Sequence, residues 1–274
     1  MIIVTDALNR DRHTDIIDEM YRLRARVFQD RLGWDVKVTD GREIDEFDTL
    51  DPVYIIALDD DGHVVGCMRL LQTTGPHMLS DVFHEILDGE PPLRSAQVWE
   101  ATRFCVDTER LARSGGAKNS ISYVTSEVMI AAFEYGRAAG ILDAVAVIDP
   151  VMNRVMIRSG NAPYDYLGTA KPMGKVTAMA ALMDCSEERV ARLRDFSGIT
   201  HDVFTPENIV RAAFDAARSK PTTHDHLPSA LRSYLDEQIA AAVSADEQAA
   251  ARALAATLSA RFAQEDDHTS RSVH

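Results

Sequence analysis

Val98-Trp99-Glu100-Ala101-Thr102-Arg103-Phe104-Cys105-Val106 is rich in aromatic and β-branched residues and reads as a β-strand. A carboxylate and a guanidinium nevertheless stand where a core strand should be apolar, and burying either one alone is costly. Side chains alternate with period two, so a regular strand sends Glu100 and Arg103 to opposite faces. Either they serve different faces, or a bulge near residues 100 to 102 brings them together. An ion pair at a strand end would explain the stretch if it stood alone.

It does not stand alone. Residues 53–58 and 64–71 form two strands around Asp59-Asp60-Asp61-Gly62, a strong hairpin signal, and Arg69 interrupts the second among Cys67, Met68, Leu70 and Leu71. Upstream, Ile16, Ile17, Met20, Leu23, Val27 and Phe28 recur at helical spacing over residues 15–31, with Arg22, Arg24, Arg26 and Arg31 on the other face. Leu32-Gly33-Trp34 then opens a long polar stretch reaching Asp51 and containing Glu43, Asp45, Glu46 and Asp48. A loop of that length inside a compact domain is commonly functional, and Trp34, Ile44 and Phe47 argue against disorder.

Downstream of the opening strand, the turn Arg113-Ser114-Gly115-Gly116-Ala117-Lys118 precedes a helix over 120–138. A glycine-rich turn at a helix start can hold phosphate, but this one is short and a plain loop is favoured. An apolar strand follows at 142–148, and Asp149-Pro150 starts a helix that Gly160 ends. Strands are expected at 164–168 and 175–183, and Ser186 begins another helix. Beyond about His201 the chain becomes alanine-rich, with helices expected at 206–217, 228–242 and 246–263 and a disordered tail at 264–274. The expected division is a domain over 1–200, a helical extension over 201–263, and that tail.

The 274 residues are 46% hydrophobic and carry a net charge of −14, which argues against general nucleic-acid binding and against an anionic membrane surface. Residues 1–110 hold 12 basic and 23 acidic side chains, residues 111–220 hold 13 and 12, so an anionic partner should dock on the middle segment. Cys67, Cys105 and Cys185 are too few and too scattered for a disulfide framework or a metal site, and are expected as reduced core thiols. No signal peptide precedes Met1-Ile2-Ile3-Val4 and no apolar run reaches membrane-spanning length, so a cytoplasmic location is expected.

The misplaced charges are Arg24, Asp45, Asp48, Arg69, Glu100 and Arg103, with Phe28 and Trp34 near them in sequence. Three cations, three anions and two aromatic faces suit a zwitterionic or sulfonium-bearing ligand: carboxylates bind an ammonium, guanidinium binds a carboxylate, and ring faces attract a cation. An internal salt-bridge network is the competing explanation, and the two are compatible.

The runs Tyr21-Arg22-Leu23-Arg24-Ala25-Arg26-Val27-Phe28, Leu32-Gly33-Trp34, Glu43-Ile44-Asp45-Glu46-Phe47-Asp48, Gly66-Cys67-Met68-Arg69-Leu70 and Trp99-Glu100-Ala101-Thr102-Arg103-Phe104 resemble the acyl-homoserine-lactone synthases of bacterial quorum sensing. The family's characteristic positions are matched in order by Arg24, Phe28, Trp34, Asp45, Asp48, Arg69, Glu100 and Arg103, and the resemblance covers roughly residues 1–200. It implies an α/β, N-acetyltransferase-like three-layer fold, with a mixed twisted sheet flanked by helices, plus the C-terminal helical extension. It also implies an acyltransferase that joins S-adenosylmethionine to an acyl thioester on acyl carrier protein or coenzyme A. The methionine amine attacks the thioester; the carboxylate then closes on the γ-carbon, releasing methylthioadenosine and an N-acyl-homoserine lactone. S-adenosylmethionine is a substrate here, and no cofactor or metal is expected.

By this resemblance Glu100, Arg103 and Arg69 form the catalytic group, and Arg24, Phe28, Trp34, Asp45 and Asp48 bind S-adenosylmethionine. An ammonium must lose a proton before it attacks, and Glu100 is the candidate base. Which of Arg24, Arg69 and Arg103 orients the substrate carboxylate stays open. The acyl pocket falls on Phe104, Met129, Ala146, Ile148, Met152 and Leu182, and the carrier contact on Arg154, Arg158, Lys171 and Lys175. Members making 3-oxo products often carry threonine where Ala146 falls, which points to an acyl group without that substituent. Two other functions compete: an N-acyltransferase for another amine that makes no lactone, and a non-catalytic paralogue that captures acyl carrier protein. The C-terminal helices are most simply an oligomerisation or packing appendage.

Overall fold

The computed structural model describes residues 1–114, 120–174 and 176–219, and beyond them positions 231, 234, 235, 237, 238, 247, 254, 257 and 258. The strands are β1 (Ile2–Thr5), β2 (Val38–Thr39), β3 (Arg42–Glu43), β4 (Val53–Leu58), β5 (Val64–Gln72), β6 (Val98–Val106), β7 (Asp143–Ile148), β8 (Asp165–Met173) and β9 (Val176–Asp184). The helices are α1 (Thr14–Ala25), α2 (Met78–Asp81), α3 (Thr108–Ser114), α4 (Ile121–Ala138), α5 (Pro150–Arg158), α6 (Glu187–Ser197) and α7 (Glu207–Ser219).

Seven strands make one sheet in the order β1-β4-β5-β6-β7-β9-β8, with β6 at its centre, and β2 and β3 form a separate two-stranded hairpin. Within the seven-stranded sheet only the β6–β7 pair is parallel. That pairing stops early: Val98, Trp99 and Glu100 face Asp143, Ala144 and Val145, and no further rungs follow although both strands continue. The bulge described below adds twist to β6 just past this point, and the two strands part to leave a wedge-shaped opening in the middle of the sheet.

Alternation along the strands divides the core between the two faces. On β4, Tyr54, Ile56 and Leu58 pack with Ile16, Met20 and Leu23 of α1, whereas Ile55 and Ala57 pack with Val124 and Val128 of α4. A third cluster covers β7 and β9, where Leu79, Ile86 and Leu87 meet Val145, Ala180 and Leu182. The expected three-layer, N-acetyltransferase-like arrangement is therefore present. Cys67, Cys105 and Cys185 are buried free thiols, as expected.

Several boundaries differ from the sequence reading. The helix from residue 14 does not run evenly to 31; it widens into a π-helical turn over Arg26–Arg31, which redirects the chain toward Trp34. The polar stretch after it is ordered as the β2–β3 hairpin and a 3₁₀ turn at Glu46–Thr49. β8 runs on to Met173 through Pro172, which an edge strand tolerates because no inward N–H is needed.

The expected boundary at residue 200 moves to Asp215, where the first compact unit ends. Ile199 and Val203 are buried against α4 and α6, and the Thr205 N–H donates to the Ile2 carbonyl at 2.9 Å. Val210 and Phe214 fill the cluster beneath α1, and Arg211 pairs with Asp15. The second unit begins at Ala216; the expected helices at 228–242 and 246–263 are described only at scattered positions, and the expected tail at 264–274 lies outside the described residues. Among the described residues no helix is long and apolar enough to cross a membrane.

Candidate active site

Arg103 is the local exception on which the site is built. On β5 and β6, Cys67 faces Cys105 and Arg69 faces Thr102, so Arg103 and Phe104 together oppose Met68 alone. Arg103 takes φ +52°, a left-handed conformation uncommon for a residue with a side chain and typical of functional strain. The bulge sits at 103–104 rather than at 100–102, and it turns Arg103 onto the face already occupied by Glu100 and Thr102. Glu100 and Arg103 thus reach the same neighbour, Met78.

Three guanidiniums and three carboxylates interlock beside the bulge. Arg24 grips Asp48 with two bonds of 2.8 Å and donates through Nε to Glu43 at 2.5 Å. Arg69 holds Asp45 at 2.5 and 3.0 Å, Asp48 at 2.8 Å, and the Thr102 hydroxyl at 3.0 Å. Arg103 donates to Asp45 at 2.6 Å and to Glu43 at 3.2 Å. The carboxylates are set by their own backbone: Asp45 accepts from the Phe47 N–H and Asp48 from the Asp45 N–H, a reciprocal cap on the 3₁₀ turn. Tyr54 adds a hydroxyl to Asp48 at 2.7 Å. Burial pushes the Asp48 carboxyl up, but the Arg24 bonds and charge, with Arg69 behind, hold it well below the usual carboxylate range.

Glu100 is different. It is fully buried, and its two oxygens accept the N–H groups of Met78 and Leu79, each at 2.7 Å, at the start of α2. Burial pushes its carboxyl up to about 7; the two N–H groups and the Arg69 charge oppose the rise without cancelling it. It can therefore carry or release a proton near neutral pH.

Glu100 and Arg103 both face a cavity of about 1220 Å³ that passes through the opening between β6 and β7. Near its outer part Phe28 and Trp34 stack with centroids 5.2 Å apart, and Arg103 lies 5.7 Å from the Phe28 ring. Phe104, Met129, Ala146, Ile148 and Met152 line it too, as does Arg158. A volume above the ~300–1,000 Å³ of a single-ligand pocket suits two substrates meeting in one space.

Other expected site residues lie elsewhere. Arg24 and Asp48 are sealed behind the cavity wall, with Arg69 and Asp45 in the same network. Arg24 was expected on the exposed face of its helix but is wholly buried, one position beyond Leu23 and two helical turns from Ile17. Leu182 points away from the cavity into the cluster with Leu79 and Val145, and its neighbour Met183 lines the lumen instead, as strand alternation requires. Arg154 is exposed on α5, and Lys171 pairs with Asp88. Lys175, and Gly115 to Lys118 of the glycine-rich turn, lie outside the described residues.

The sequence reading passed over Glu43, Thr102 and Met78. Glu43 could have been found from its place in the same acidic run as Asp45 and Asp48. Nothing in the sequence marks Met78, whose N–H meets Glu100 and whose sulfur lies 3.4 Å from both Arg69 and Arg103.

The model of the family described as "Autoinducer synthase" matches residues 7–193. The acyl-homoserine-lactone synthase of Aeromonas salmonicida is 37% identical over 194 residues, covering 70% of this chain and 91% of that one. The Pseudomonas aeruginosa enzyme of the same description is 38% identical over 149 residues, covering 53% and 71%. Among solved structures, the coenzyme A-dependent synthase BjaI, with S-adenosylmethionine and isopentyl-CoA, superposes with a TM-score of 0.64 at 28% identity, covering 78% of this chain and 98% of that one. The synthase LasI gives 0.61 at 31% identity, covering 74% and 98%.

Proposed function

The chain belongs to the autoinducer synthase family and is an acyl-homoserine-lactone synthase; from that premise we propose how its residues divide the reaction. The observation that carries the division is Glu100 beside Arg103 at the opening between β6 and β7, facing one cavity.

S-adenosylmethionine occupies the outer part, its cationic sulfonium region against the stacked Phe28 and Trp34 rings. Arg103, which faces the cavity where Arg24 and Arg69 do not, binds its carboxylate. Arg24, Arg69, Glu43, Asp45 and Asp48 are positioning residues that hold Arg103 and the bulge. Glu100, ionised above pH 7, takes a proton from the methionine ammonium, directly or through one water. The amine nitrogen forms a bond to the thioester carbonyl carbon, and the carbon–sulfur bond breaks to release the carrier thiol. A carboxylate oxygen of the acylated intermediate then attacks the γ-carbon, and methylthioadenosine leaves with the electrons of the carbon–sulfur bond. This closure is intramolecular and needs chiefly orientation, which a fixed guanidinium supplies.

The acyl donor is an anionic thioester, and the exposed Arg154 and Arg158 of α5 favour its approach from that side. Purified protein incubated with S-adenosylmethionine and one acyl chain on coenzyme A or on acyl carrier protein, followed by mass spectrometry, tests the whole reading. Lactone and methylthioadenosine in equal amounts are expected, and the better carrier identifies the donor. Acylation without methylthioadenosine would instead mark an N-acyltransferase without lactone formation, and silence on both carriers a binding protein.

A further inference from the structure

The cavity does not end at the acyl contacts expected from sequence. Trp99, Gly136, Ile141, Ala144 and Cys185 line it as well, and because Trp99 faces Ala144 where β6 and β7 are still paired, the closed end of the cavity lies among these residues, beyond Met129 and Ala146. On α4 its wall is formed by Thr125, Met129, Ala132 and Gly136, which recur at three- and four-residue spacing and so share one helix face.

Gly136 is unusual among the glycines. An added Cβ would lie 3.7 Å from both the Cys185 sulfur and the Ile141 Cβ, which is ordinary contact. Nothing in the packing therefore requires a glycine there, and inside a helix glycine is less stable than alanine. Gly168 contrasts with it, because an added Cβ there would lie 1.8 Å from a carbonyl oxygen. At Gly136 the missing side chain avoids no clash; it leaves space at the end of the lumen.

Two rulers give the depth of that space. From Met129 to Gly136 the helix rises roughly 10 Å, and from Ile148 to Ala144 the strand covers roughly 13 Å. An extended chain advances about 1.2 Å per bond, the ~3.3–3.6 Å of one residue divided among three bonds. Resting on the synthase reading above, we propose that this lumen is a tunnel for straight acyl chains of about nine to twelve carbons, the roughly eight to eleven bonds that these depths accommodate, and that Gly136 is the residue that sets its length.

Specificity constants for hexanoyl and dodecanoyl thioesters, each on coenzyme A and on acyl carrier protein, test this. The wild type should prefer dodecanoyl. Gly136→Val, which places two methyl groups in the lumen, should lower the dodecanoyl-to-hexanoyl ratio of kcat/KM at least about tenfold, the range reported by one or two misplaced methylenes in an apolar pocket. Gly136→Ala should move the ratio in the same direction by less, in a helix that alanine strengthens. A wild type that prefers hexanoyl, or a ratio unmoved by both variants, overturns the length assignment and leaves the synthase reading intact. No lactone from either chain on either carrier would defeat the synthase reading first, and this one with it.

Discussion

Two carboxylates on neighbouring elements of this molecule are treated in opposite ways. Asp48 is buried among Arg24, Arg69 and Tyr54, with its oxygens bonded to all three. Glu100 is equally buried, but among the described residues its only hydrogen bonds come from two backbone N–H groups. The first carboxyl is held far below neutrality and the second is raised to about 7. Paired titratable groups pushed apart by their surroundings take different work. The saturated network is framework, and the unsaturated carboxylate is the group left able to move a proton.

Replacing Glu100 by Gln breaks the comparison where the effect should be largest. Loss of a positioned base lowers turnover by on the order of 10²–10⁴, and methylthioadenosine release at saturating substrate measures it. Wild-type turnover in the variant would remove Glu100 from the mechanism. In the wild type, turnover should rise with pH through about 7 as the carboxylate ionises. Stability should move the other way: the folded pKa lies above the unfolded value of 4.5, so the folded state holds its proton longer and stability is lost as pH rises between them. Near pH 8 the loss is about 3 kcal/mol, the N–H bonds being already counted in the raised value, and Glu100→Gln should flatten this dependence as well as the activity profile.

Asp48→Asn acts on the other side of the comparison. It leaves two buried guanidiniums short of a counter-charge, and breaking a buried pair in this way costs about 3–5 kcal/mol. Urea unfolding should show that loss, while turnover per folded molecule falls less than in Glu100→Gln. A variant as stable as the wild type but inactive would mean that Asp48 works on the substrate itself.

The charged half of the site was legible because charge in a core strand violates the pattern of its own segment, which is why Arg69, Glu100 and Arg103 stood out. Arg24 was named with them, but its burial was not legible, since arginine is ordinary on the exposed face of a helix and only the register of α1 shows that it points inward. The apolar half was harder to read. Methionine, glycine and cysteine lining a tunnel have the composition of plain core, so Gly136, Met183 and Cys185 carried no signal. Leu182 was misplaced for a related reason: a shift of one residue along a strand exchanges the two faces of the sheet. Residues 201–215 read as the start of the alanine-rich tail, because the contacts of Thr205 and Phe214 with β1 and α1 span nearly the whole domain in sequence.

The two N–H groups on Glu100 can be disturbed from a distance, and this gives the smallest expected effect. They belong to a segment that is held at both ends, with Met78 and Leu79 on Glu100 and Ile86 to Asp88 against β8. At the far end Gly168 has φ +59° and its backbone lies directly on the Ile86 carbonyl, while Thr169 donates to Asp88 at 2.9 Å. A methyl group at Gly168 cannot fit beside that carbonyl, so Gly168→Ala must push the segment outward and lengthen the bonds at its other end. Those bonds favour the ionised carboxylate, and weakening them raises the Glu100 pKa further. The midpoint of the pH–turnover profile should therefore move upward by about half a unit to one unit, a fraction of the ~1.5–3 kcal/mol that a hydrogen bond to a charged group contributes. Gly140→Ala is the matched control, since Gly140 also has a left-handed φ, of +79°, but an added Cβ there meets nothing within 4 Å. If both variants leave the midpoint where it was, the segment does not transmit to Glu100; if both move it equally, backbone strain alone is responsible and the contrast between the two carboxylates owes nothing to β8.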